Sequence, residues 1–282
     1  MQLHLPLCDI LFFSTHSALL YAALGFLRHL AFPEPNRAEL GNARVIEACH
    51  RYLVLYPDDA AVRGEMAALV CKLVTNSPKN IERVVMHRVG ERRGEEGELP
   101  LRSVTDGPSC LGDVVKQALE PARPLPSTAM KNFVVEAGRT VVAILRYLGR
   151  AEGGGDLDVD AVRQRMFEVP YVARPVARLV RQRFYADARA EGLLGLGLMA
   201  QSPYGAARVV EEIKEDGGLV EAIKEFAEGK DGGVEQQGQT AGRDYQNAMV
   251  LLQALQNNGS EMDEALRDRV ISLQDELGKI MI

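Results

Sequence analysis

Two stretches decide the fold: GFLRHLAFPEPN at 25–36 and ALVCKLVTNSPKN at 68–80. Each is the tail of an amphipathic helix, apolar at three- and four-residue steps, followed by a polar turn that holds proline. AILRYLGR (143–150), GLGLMAQSP (195–203) and LLQALQNNGS (251–260) have a similar helix tail and polar turn, with proline only in the second of these. The first pair lies about 43 residues apart and the later ones about 50 to 57. Armadillo and HEAT repeats with insertions have periods in that range. A helix pair with two apolar faces cannot bury both alone, so neighbours stack and leave a continuous concave groove. The expectation is an all-α, armadillo/HEAT-like α-solenoid, a right-handed superhelix with loop insertions.

Working outward, helical spacing covers most of the chain. Helices are predicted over 17–31, 37–55, 59–75 with Asp59 as N-cap, 80–89, 111–119, and 127–148 with Ser127 as cap. Further helices are predicted over 159–167, 172–184, 186–200, 204–215, 219–228 and 242–256. Ser260 is expected to open the last one, with Asp263 as its capping-box partner. Met262, Leu266, Val270, Leu273, Leu277 and Ile280 form a single apolar stripe along it. Loops are expected near 90–108 and 229–241, and a flexible turn at Gly153-Gly154-Gly155. No segment shows the period of two that marks a strand. The domain organisation expected is an irregular apolar N-terminus over 1–15 and a helical repeat domain over 16–282. The N-terminal stretch lacks the Lys/Arg of a signal peptide, and His4 and Asp9 interrupt it. It reads as an irregular end, or as the cut edge of something longer.

Composition narrows the function. Of 282 residues, 46% are apolar and 26% charged; Trp is absent and aromatics total 6%. A core of Leu, Val, Ala and Met suits helix packing better than a β-sandwich. The formal charge is −6, from 33 basic and 39 acidic side chains. That disfavours nucleic acid, whose binding is driven by neutralising phosphates, and favours a basic partner. Cys8, Cys49, Cys71 and Cys110 are too few for a disulfide scaffold and read as buried thiols in a reducing compartment, so a cytoplasmic location is expected. No run of 18 apolar residues exists, so no membrane span is expected.

Three motifs imitate chemistry. Gly195-x-Gly197-x-x-Ala200 has the form of a dinucleotide fingerprint, but no strand precedes it. Asp156-x-Asp158-x-Asp160 begins like a calcium loop, but Ala161 stands where the turn needs Gly and Phe167 where a bidentate Glu is needed. Cys49-His50 has no partners at zinc-ligand spacing. No enzyme, catalytic residue, cofactor or metal is expected.

The stretch ALGFLRHLAFPEPNRAEL (23–40) resembles the armadillo signature of the small-GTPase GDP-dissociation stimulators (SmgGDS). VIEAC at 45–49 and VRGEMAALVCKLVTNSPKN at 62–80 resemble the next repeat of that family. LPSTAMKNFVVEAGRTVVAILRYL, ADARAEGLLGLGLMAQSP and DYQNAMVLLQALQ are similar to its fungal members, and the likeness is to the C-terminal part of a longer protein. The chain departs from the signature where the family has Asn: His29, Lys72 and Tyr147 stand there. The resemblance implies binding of Rho- and Rap-type small GTPases with basic C-terminal tails, some of them prenylated. It implies a chaperone or exchange role, in which the protein holds a guest state with loosened nucleotide contacts. Nucleic acid and stable membrane insertion are not implied.

Aligned on that signature, the groove positions are Tyr21, Arg28, His29, Glu65, Lys72, Arg139, Tyr147, Arg189 and Asn247. The acidic run containing Glu211, Glu212 and Glu215 is the expected meeting place for a basic tail. The alternative is an armadillo adaptor that reads a linear peptide and leaves nucleotide exchange unchanged.

Overall fold

The computed structural model describes residues 4–55, 58–91, 101–103, 107–119, 128–151, 157–182, 185–231, 234–235 and 239–279. Helices α1 (His4–Phe13) and α2 (Ser17–Leu30) come first. The chain then repeats a step of two shorter helices and a longer one. The first step is α3 (Glu34–Asn42), α4 (Val45–Leu55) and α5 (Ala60–Val74); the second is α6 (Pro78–Met86), α7 (Cys110–Leu119) and α8 (Thr128–Leu148). The third is α9 (Val159–Phe167), α10 (Arg174–Arg181) and α11 (Ala186–Ala200); the fourth is α12 (Pro203–Glu215), α13 (Leu219–Ala227) and α14 (Gln239–Asn258). Helix α15 (Glu264–Gly278) follows. The five similar stretches of sequence fall at the ends of α2, α5, α8, α11 and α14, which is every third helix. The fold is all-α and solenoid-like. Two small antiparallel hairpins sit within the expected loops: β1 (Val89–Glu91) with β2 (Leu101–Ser103), and β3 (Lys230–Asp231) with β4 (Val234–Glu235).

The turns between steps explain the recurring sequence. A helix leaves its last carbonyls without partners. Asn36 donates to the Leu30 carbonyl at 2.9 Å, and Asn80 donates to the Leu73 carbonyl at 3.0 Å. Both asparagines follow a proline that opens the next helix, where its missing N–H costs nothing. Arg37 donates to the carbonyls of Ala31 (3.0 Å), Phe32 (3.0 Å) and Thr75 (2.7 Å), tying the ends of α2 and α5 together. Arg163 does the same for α8, donating to the Leu148 carbonyl at 3.1 Å. Each of the first three steps thus closes the long helix before it.

The chain forms two compact units, Met1–Pro170 and Tyr171–Ile282. In the first, α5 lies between α2 and α8 and also meets α3, α4 and α6. It is apolar on more than one side, and Val62, Met66, Leu69, Val70, Leu73 and Val74 are all buried. Gly41 of α3 meets α6 so closely that a Cβ there would lie 1.8 Å from Asn80 Oδ1. In the second unit, α11 packs on α10, α12 and α14. A Cβ at Gly192 would lie 2.9 Å from the Val180 backbone nitrogen of α10, and one at Gly197 would touch Leu251 of α14. Gly197, one of the glycines that imitate a dinucleotide fingerprint, therefore serves helix packing inside α11. The stripe Leu266, Val270, Leu273 and Leu277 buries one face of α15.

Several expectations change. The N-terminal stretch is helical over His4–Phe13 rather than irregular, with Cys8 and Leu11 buried. Its apolar residues surround the helix, so no single stripe announced it. The segment 37–55 is two helices, because Arg44 takes the left-handed conformation (φ 63°) and turns the chain between them. The cap of α15 is Asp263, whose carboxylate accepts from the Leu266 N–H at 2.9 Å; Ser260 lies before it. Asp59 caps α5 as expected, accepting from Val62 N–H at 3.1 Å. Ser127, Gly153-Gly154-Gly155, Asp156 and Ile280 lie outside the described residues.

Candidate protein-binding face

In the first unit the long helices α2 and α5 lie side by side, and their outward residues meet across the seam. Tyr21, Gly25, Arg28, His29 and Phe32 recur on one side at helical spacing. Arg28 Nε donates to Glu65 Oε2 of α5 at 3.0 Å, beside Gly25, where a Cβ would make ordinary contact with that carboxylate at 3.8 Å. One turn on, the Lys72 ammonium lies 4.8 Å from the centre of the Phe32 ring. His29 stands 5.8 Å from the same ring, and its Nδ1 meets the Gly25 carbonyl at 2.7 Å. A carbonyl only accepts, so in the neutral ring the proton sits on Nδ1 and Nε2 is left as an acceptor. Tyr21 and Phe32 are 47% and 50% exposed.

Helix α8 lies on the other side of α5. Its Arg139 bonds Glu136 one turn earlier at 3.0 Å, and Tyr147 is half-buried near its end. The seam between α5 and α8 is closed beneath by Arg63. Its guanidinium is buried, lies 5.1 Å over the Phe133 ring and donates to Met130 Sδ at 3.1 Å. The structure thus brings Arg28, His29, Glu65 and Lys72 together and sets Arg139 and Tyr147 on the next long helix. Phe32 is the residue the sequence reading missed. It falls in the Phe-Pro-Glu-Pro turn, after the last periodic position.

The expected residues of the second unit are placed differently. Arg189 is buried in α11, stacked 4.7 Å over Phe226 of α13. Asn247 is half-buried on α14. Glu212 is buried and receives Arg174 Nε at 2.8 Å; Arg174 also bonds Glu215, and Arg208 bonds Glu211 at 2.7 Å. Burial raises the Glu212 carboxyl above its usual range despite the Arg174 guanidinium. Further along the acidic run, Asp216 pairs with Arg181, Glu221 with Arg269 and Lys224 with Glu276. The run is largely engaged inside its own unit.

The other polar clusters are structural. His50 Nε2 meets Asp113 Oδ2 at 2.7 Å, a buried link between α4 and α7. Burial pushes the Cys49 and Cys110 thiols well up and the Cys8 thiol to about 11, so they stay protonated and are poor nucleophiles. Among the described residues no group of three His, Cys, Asp or Glu side chains could hold a metal ion. No described helix is long and apolar enough to cross a membrane. No protein-family model matches the chain. A comparison with curated proteins finds no match.

Proposed function

We propose that this chain binds a small GTPase of the Rho or Rap type on the α2–α5–α8 face, and acts as a dissociation stimulator or chaperone for it. The observation that carries the reading is the α2–α5 seam. Arg28, Glu65, Lys72 and Phe32 from successive long helices form one surface of paired charge and exposed aromatic area, a composition suited to protein recognition. The choice of guest rests on the sequence resemblance. No covalent step is involved: the guest's nucleotide is released because the complex favours the state in which nucleotide contacts are loosened.

Titration with a nucleotide-depleted Rho-type GTPase tests this. Saturable binding at micromolar concentration is expected, and release of labelled GDP from the loaded GTPase should quicken on addition of the chain. Arg28→Glu, which sets two carboxylates against each other at the seam, should weaken binding roughly tenfold. Absence of binding at micromolar concentration counts against the proposal. Binding with unchanged GDP release leaves the chaperone role and removes the exchange role.

A further inference from the structure

Charge is unevenly distributed in this chain. Its formal charge is −6, yet α2, α5 and α8 carry, besides the buried Arg63, five cations (Arg28, Lys72, Lys131, Arg139 and Arg146) and two carboxylates. Both carboxylates are already bonded, Glu65 to Arg28 and Glu136 to Arg139. No carboxylate of the described residues pairs with Lys72 or Arg146, and the acidic run of the second unit is largely occupied by arginines of that unit. The Lys72 ammonium lies 4.8 Å from the centre of the half-exposed Phe32 ring, so a cation and an apolar surface stand side by side.

We infer that the α2–α5–α8 face receives an acidic, extended segment of its protein guest. One of that segment's carboxylates approaches the Lys72 ammonium, and a neighbouring apolar side chain rests on Phe32. The inference builds on the reading of this face as the docking face, and it reverses the charge expected of the guest from sequence. A polybasic tail would meet like charge here, and like charges opposed across an interface suppress binding.

The test is fluorescence anisotropy of the full chain with a labelled peptide of about a dozen residues alternating Glu and Leu, beside a Lys/Leu peptide of the same length. The Glu/Leu peptide should bind saturably and lose affinity several-fold between ~50 and ~200 mM salt, because exposed ion pairs are screened. Lys72→Glu should weaken it roughly tenfold and Phe32→Ala a few-fold, while Lys214→Glu in the second unit leaves it unchanged; circular dichroism checks that each variant is folded. Equal or tighter binding of the Lys/Leu peptide overturns the inference, as does an unchanged affinity for Lys72→Glu. Equal displacement by single-stranded RNA also overturns it, since the site would then answer to any polyanion. A GTPase that binds but is not displaced by the Glu/Leu peptide sinks this inference and leaves the proposed function standing. Peptide binding without GTPase binding does the reverse.

Discussion

Gly41 shows how one side chain sets the sign of a substitution. Gly to Ala inside a helix ordinarily gains up to about 1 kcal/mol. At Gly41 the added carbon would lie 1.8 Å from Asn80 Oδ1, and the Asn80 amide is held by the carbonyls of Arg37 and Leu73, so it cannot swing aside freely. Gly41→Ala should therefore cost about 1–3 kcal/mol in chemical denaturation, whereas Gly278→Ala, with nothing within 4 Å, should be neutral or slightly stabilising. Asp244 makes a second residue-level case. It is buried in α14 with Oδ1 lacking a hydrogen-bond partner, and burial raises its carboxyl from 3.8 to about 6. The native state then binds a proton between pH 4 and 6 that the unfolded chain has released. Stability of the second unit should fall as pH rises across that window. Asp244→Asn should flatten that slope and add about 1–3 kcal/mol at pH 7, read from denaturant midpoints at the two ends of the window. In the first unit burial lowers His87, so there the slope has the opposite sign: stability is lost as pH falls through 6.5 and the unfolded chain takes up the proton.

At the scale of the element, the reach-back contacts hold the three-helix steps in order. Asn80→Ala removes donors from two carbonyls, those of Leu73 and Arg37, and should cost about 1–3 kcal/mol, with amide exchange quickening first at the α5–α6 turn. Most helices were legible in the sequence, because apolar spacing and proline turns act locally. Val159–Phe167 and Ala186–Ala200 fall where periodicity places them, and the Asp59 cap follows from a short acidic residue before an apolar run. What escaped carried no clear local signal. The break at Arg44 is a backbone turn without Gly or Pro at that position. Helix α1 has no polar face to reveal its period. The cap of α15 passed to Asp263 because Ser260 lies in the turn after α14. The candidate site divided in the same way. Arg28, His29, Glu65 and Lys72 share a surface because long helices at one repeat position lie side by side. Arg189, chosen by the same alignment, and Glu212, chosen from the acidic run, turn inward because arginine–aromatic stacking and a buried ion pair hold them there.

Taken whole, each unit is organised around one long helix, α5 in the first and α11 in the second, and these should exchange their amide hydrogens most slowly. The central claim is that the outward face of α2, α5 and α8 is where a protein guest docks. Hydrogen–deuterium exchange with and without a saturating nucleotide-depleted Rho-type GTPase measures this directly. The account predicts added protection in peptides covering 17–32, 60–75 and 128–148, reached only at a higher GTPase concentration in Arg28→Glu. Protection confined to 264–278, or no change anywhere at saturation, contradicts it.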